Sequence, residues 1–275
     1  MKHHLDPVSL FLNIITKVAA FITILVLFFI IAYILIRGIP NLTPSLFEWE
    51  YTTENVSMMP AIINTIYVVL LSLLISAPIG ICSAIYLVEY AKRGSKLVKI
   101  VLLTTETLAG IPSIVYGLFG SLMFVISLNM GLSLLAGSLT LAIMVLPTIM
   151  RTTQEALVAV PDSYREGSYG LGAGKIRTIF RIILPSAVPG IMSGIVLSMG
   201  RIVGETAALI YTSGTVGKIS TSVFEPGSTL AVHMYKLMSE GLYTEQACAV
   251  AVVLLVFVII MNSLSSVLGK KLAKG

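Results

Sequence analysis

Residues 61–88 run for 28 positions without one charged side chain. A hydrocarbon layer about 30 Å thick is crossed by about 20 residues of helix. In lipid every backbone N–H and C=O needs an internal partner, so a segment like this folds as a helix. Five further runs are predominantly apolar: Val18–Ile36, Ile100–Ile126, Leu132–Met150, Ala187–Tyr211 and Ala247–Leu268. Composition agrees, with 56% hydrophobic and 11% charged residues, against about a quarter charged in soluble domains. The expected fold is an all-α polytopic membrane protein with six transmembrane helices. No small-residue cleavage site follows the first run, which reads as an anchor. Pro78 and Pro112 predict a kink and a break in their runs.

Charge orients the spans. The tails and the loops at 89–99 and 151–185 carry fourteen basic residues, among them Lys92, Lys96, Lys99, Arg151, Arg181 and Lys270. The alternate loops carry three, Arg37, Lys218 and Lys236. Basic loops stay on the cytoplasmic side. This predicts a cell-membrane protein with both termini cytoplasmic, residues 37–60 and 212–246 outside, and the 151–185 loop inside. The surplus of +5 therefore follows topology and does not mark a nucleic-acid partner. Cys82 and Cys248 fall in apolar runs and read as packing residues. His3, His4 and His233 show no ligand spacing, so no metal or cofactor is expected.

The longest polar interruption with helical signals is residues 161–185. Ser163 and Glu166 have capping-box spacing. Gly172 and Gly174 suit a helix stop. A second short helix is expected from Lys175 to Leu184, ended by Pro185, with Ile176, Ile179, Phe180 and Ile183 on one apolar stripe. The competing readings are a DNA-binding helix-turn-helix, an amphipathic segment on lipid headgroups and a phosphate-binding P-loop. The last fails, because Tyr169 and Ile176 stand where Gly and Ser or Thr are required. No nucleotide site is legible, so any ATP chemistry falls to a partner.

Charges inside spans cost about 2.5–3.5 kcal/mol on insertion scales and default to functional candidates. Three occur: Glu106, Arg201 and Glu205. Glu106 reads as a wet helix end or a partner for Arg151 or Arg201. Arg201 and Glu205 are four apart and are expected to share a helix face. They either neutralise each other or line a substrate path, where arginine's fork suits oxyanions. Gly190-x-x-x-Gly194 and Gly200-x-x-x-Gly204 allow close helix approach, either within the bundle or against a second subunit.

The 161–185 loop resembles the EAA loop of ABC importer permeases: Glu166-Gly167-Ser168, then Gly172, then Ile182-Ile183-Leu184-Pro185, with every spacing kept. Gly and Ser replace the two alanines of that pattern. Leu108–Gly117 and Gly200–Ala207 resemble the PstA type of phosphate-uptake permease. The resemblance covers roughly 61–268 and implies a MetI-like type-1 permease domain there. Residues 1–60 would then be a tail, an added helix and an outer loop, and 269–275 a cytoplasmic tail. It also implies that Arg165, Glu166, Gly167, Ser168, Gly172, Ala173, Ile182, Leu184 and Pro185 couple to a cytoplasmic ATPase dimer (PstB-like). The other implied partners are a second permease (PstC-like) and an extracytoplasmic phosphate-binding protein (PstS-like). The rivals are a permease of the same fold for molybdate, sulfate or an amino acid, a secondary transporter, which should show an inverted repeat, and an intramembrane hydrolase. The hydrolase lacks a nucleophile–histidine pair within the spans.

Overall fold

The computed structural model describes residues 7–92 and 94–272, so Lys2, His3, His4, Arg93 and Lys274 lie outside the described residues. The helices in chain order are α1 (Pro7–Gly38), α2 (Met59–Ile85), α3 (Lys96–Ala109), α4 (Ser113–Gly120), α5 (Leu134–Val158), α6 (Asp162–Gly170), α7 (Lys175–Thr178), α8 (Leu184–Gly204), α9 (Ala207–Thr212), α10 (Leu230–Glu240) and α11 (Thr244–Leu272). Wider π-helical turns prolong α2 to Tyr90 and α4 to Ser127, and fuse α7 to α8 through 179–183. Among the described residues, five helical stretches are long and apolar enough to cross a membrane: Val8–Asn41, Met59–Tyr90, Leu134–Val158, Lys175–Gly204 and Thr244–Val267.

The expected third span is not one straight helix. Its halves, Val98–Ala109 and Ser113–Ser127, meet at 102°. Pro112 lacks the N–H that would continue the ladder and drives the preceding residue out of helical geometry. The Tyr116 hydroxyl donates to the Leu108 carbonyl at 2.8 Å and so satisfies one group freed at the bend. The two halves pack against different parts of the bundle. At the α6 end, Val98, Val101 and Leu102 pack on Leu87, Leu157 and Ile183. The second half leads through 128–133 into the start of α5, where Ser133 N–H donates to Thr212 C=O and Leu134 N–H to Glu225 C=O, both at 3.0 Å. Counted as one span, the bent pair brings the candidate crossings among the described residues to six.

The fifth span also differs from its expected bounds. It begins at Lys175 and ends at Gly204, not at Tyr211. Pro185 does not stop it. It lies inside the continuous helix, just after the π turn at 179–183, and such a local widening is one of the adjustments that tolerate proline in a membrane helix. Beyond Gly204 the backbone is extended at Glu205 (φ −74°, ψ 130°).

The expected 212–246 loop contains α10 and a buried histidine. His233 is 2% exposed, with its Nε2 3.2 Å from the Val56 carbonyl. The Tyr51 ring meets it edge-on at 5.9 Å. Burial holds its pKa down at about 4, so the ring is neutral near pH 7. Val56 has φ 42°, an uncommon state for a β-branched residue. The histidine thus ties the 39–58 segment to α10 at this point.

Helix α5 is the central element, with two-thirds of its apolar window buried. Its packing resolves the two glycine pairs on α8. A Cβ at Gly190 or Gly194 would collide with Ala156 or Thr152 of α5, whereas Gly200 and Gly204 face open space. The first pair serves packing within the bundle and the second does not. Gly194→Val should therefore destabilise the purified chain by about 1–3 kcal/mol, while Gly200→Ala leaves its detergent melting temperature within a degree or so. Thermal unfolding of both variants checks this. Equal melting temperatures would remove the packing distinction.

Candidate functional site

One face of α8 and one of α11 bound an open cleft of about 1020 Å³. On α8 the lining residues are Pro189, Met192, Ser193, Val196, Leu197, Gly200 and Arg201. This is the i, i+3, i+4, i+7 spacing of a single helix face. On α11 they are Asn262, Ser266 and Gly269. The two helices run antiparallel: Gly269 lies against Met192, and Ser265 Oγ lies 3.9 Å from Met199 Sδ.

Among the described residues, Arg201 is the one charged residue lining the cleft. Among the described residues no carboxylate lies within ion-pair distance of it. The expected face shared with Glu205 is not formed. Because α8 ends at Gly204, the four-residue spacing no longer brings the side chains together. Glu205 turns away, is buried, and accepts the Ala208 N–H at 3.1 Å from the start of α9. Asn262 escaped the sequence reading because a neutral amide carries no charge signal. Its position four and seven residues before Ser266 and Gly269 was the available clue.

Glu106 is exposed and lines a separate cavity of about 250 Å³ with Arg151 and Glu155. It pairs with neither expected cation. Arg151 Nε instead donates to Glu155 Oε1 at 3.0 Å, one helical turn along.

The 161–185 segment folds as a knob at the α6 end. No capping box forms. Helix α6 starts at Asp162 after an extended Pro161, with no side-chain cap, two residues earlier than a Ser163 N-cap implied. Proline just before the helix already fixes the entry. Gly172 has φ +81°, the left-handed state that ends the first helix cheaply. Gly174 is extended and opens the second. Ser168 Oγ and Thr178 Oγ1 lie 2.8 Å apart and join the two. Ala173 N–H donates to Ser168 C=O at 3.1 Å.

Arg165 points into the body of the protein. Its Nη2 donates to Glu89 Oε1 at 2.8 Å and to the Leu157 carbonyl at 3.0 Å, and its Nη1 to the Val160 carbonyl at 2.9 Å and Asp162 Oδ1 at 3.2 Å. The Arg165 and Glu89 side chains are only 15% and 6% exposed. Lys175 Nζ sits 4.5 Å from the centre of the Tyr90 ring. Ile182 and Leu184 are half-buried against the cluster at this end, while Glu166, Gly167 and Pro185 are exposed. The expected apolar stripe is split. Ile179 and Ile183 are fully buried, but Ile176 and Phe180 are exposed, because the π turn changes the angular step between them. Leu171, 91% exposed, joins them on the surface. A hollow of about 500 Å³ beside Leu171 is lined by Arg177 and Arg181.

The model of the binding-protein-dependent transport system inner membrane component family matches residues 76–274. This chain belongs to that family. Family members are permease components and not a catalytic enzyme class. The chain is 31% identical over 267 residues to the probable ABC transporter permease protein YqgI of Bacillus subtilis, covering 88% of each chain. It is 35% identical over 240 residues to the phosphate transport system permease protein PstA of Yersinia pestis, covering 86% of this chain and 81% of that one. In the solved structure of a bacterial alginate ABC transporter in complex with an alginate pentasaccharide-bound periplasmic protein, one chain shares the fold. Its TM-score is 0.65 at 17% identity, over 96% of this chain and 98% of that one. With its apolar helices, the protein is a multi-pass membrane component of this family.

The buried ion pair makes the knob's anchorage testable. Breaking one side of such a pair costs about 3–5 kcal/mol. In Arg165→Met, hydrogen exchange across residues 162–170 should quicken by about tenfold or more while the middle of α5 keeps its protection. Unchanged exchange in α6 would show that other contacts hold the knob.

Proposed function

We propose that this chain is a permease subunit of an ATP-driven importer for inorganic phosphate. The observation that carries the reading is an arginine without a protein carboxylate in an open intramembrane cleft, in a chain whose relatives include a phosphate permease. An ion of this kind inside a membrane protein marks a substrate path by default, and the guanidinium fork fits a tetrahedral oxyanion. The cleft is a half-channel. Its open side, flanked by Gly200 and Gly204, takes a second, PstC-like permease, which completes the path. An extracytoplasmic phosphate-binding protein delivers the anion to the α10 end.

In the same reading the knob docks on a cytoplasmic ATPase dimer, which supplies the nucleotide site. Leu171, Ile176 and Phe180 offer apolar surface there, and Glu166, Arg177 and Arg181 surround it with charge. The Arg165–Glu89 pair passes the movement of the docked knob to the end of α2. This places the α6 end and both termini in the cytoplasm, as the basic loops require. Residues 61–268 form the working permease unit.

Gly172 separates docking from folding. Its φ is +81° and a Cβ there would meet nothing within 4 Å, so Gly172→Val strains the backbone by about 1–2 kcal/mol without a clash. The variant, and a Leu171→Ser, Phe180→Ser double variant, should reach the membrane in normal amounts. Both should retain about tenfold less ATPase on purification and lose phosphate uptake. Normal ATPase retention by both would contradict the docking role.

A further inference from the structure

With Glu205 committed to the start of α9, no acid among the described residues lines the cleft to accept a substrate's proton. We propose that Asn262 on α11 is a second anion-contacting residue, facing Arg201 and giving the translocated oxyanion both a donor and an acceptor. The proposal rests on the phosphate reading above.

Position supports it first. The antiparallel register sets Gly269 against Met192 and Ser265 beside Met199. One further turn along α11 brings Asn262 to the level of Arg201, and both line the cleft. Environment supports it next. Asn262 is the one carboxamide between Ala247 and Leu268, in a stretch of mean hydropathy 2.8. No other described residue hydrogen-bonds its amide. An unpaired amide in such surroundings is costly, unless water or a ligand in the cleft engages it.

The chemistry then follows. Arginine only donates hydrogen bonds, whereas a carboxamide donates through Nδ2 and accepts through Oδ1. Inorganic phosphate retains at least one proton at neutral pH and needs such an acceptor. Sulfate has no proton and would leave Oδ1 unpaired, which is how a polar site rejects an analogue. A neutral acceptor does this without the repulsion a carboxylate would add.

The test uses the complete importer in proteoliposomes, with its ATPase and phosphate-loaded binding protein. The quantity read is radiolabelled phosphate moved per ATP hydrolysed, because binding-protein affinity does not enter that ratio. Asn262→Leu should lower it by about tenfold or more. Ser263→Ala, a neighbour outside the cleft, should keep the wild-type value. A residue that only packs would reduce the amount of assembled complex and leave the ratio unchanged. A wild-type ratio in Asn262→Leu overturns the proposal. Should that variant not assemble, Asn262→Asp loses the donor and adds a repelling charge, and a wild-type ratio there overturns it equally. A wild-type complex that hydrolyses ATP and moves no phosphate would overturn the phosphate reading together with this one. Wild-type transport of phosphate with an unaltered Asn262→Leu ratio overturns the asparagine role alone.

Discussion

Glycines on three helices let backbones close on α5. Gly80 of α2 abuts Ile149, Gly120 of α4 abuts Thr140, and Gly190 and Gly194 of α8 abut Ala156 and Thr152. In lipid the hydrophobic effect gives little force between helices, so association depends on this close van der Waals fit. The fit fixes where α8 lies and how it is rotated. Once Gly190 and Gly194 face α5, the helical period turns Gly200 into the cleft and leaves Arg201, eleven residues after Gly190, at the edge of the cleft nearest α5. The position of Arg201 is thus a consequence of packing two to three turns away.

The same packing sets the two ends to different tasks. At the α6 end the knob is held by the Arg165–Glu89 pair and by Ser168 against Thr178, yet it exposes Leu171, Ile176 and Phe180. A surface that is rigidly mounted and apolar suits transmission of force from a partner. At the α10 end, Asn64 of α2 donates to the Lys218 carbonyl at 2.9 Å and accepts from Ser220 N–H at 3.2 Å. His233 adds a link to Val56. Between these ends α8 runs unbroken from beyond the knob to Arg201, so a displacement at the knob reaches the cleft through one continuous helix.

Much of this was legible from residue chemistry. Uncharged runs gave the long helices, because lipid leaves the backbone no other choice, and Gly172 announced its left-handed turn. Two of the failures share one cause. Helical spacing was extended past points where the helix actually changes. Arg201 and Glu205 share a face only if α8 continues, and it ends at Gly204. Ile176 and Phe180 join Ile179 and Ile183 only if the turn stays α-helical, and it widens. Pro112 was read as a break but not as a bend near a right angle, which depends on what α3 and α4 pack against. Asn262 could be recognised only once α8 and α11 were placed side by side.

The account turns on Arg201 meeting the transported anion, and the most direct measurement is labelled-phosphate uptake per assembled importer for variants at that position. Arg201→Gln should insert, assemble and bind its ATPase, yet lose about tenfold or more of its uptake, as expected for removing a charge-assisted hydrogen bond. Arg201→Lys should recover part of it, since the charge remains while the bidentate fork is lost. Uptake near the wild-type level in Arg201→Gln would contradict the account and leave the arginine as a residue of the subunit interface.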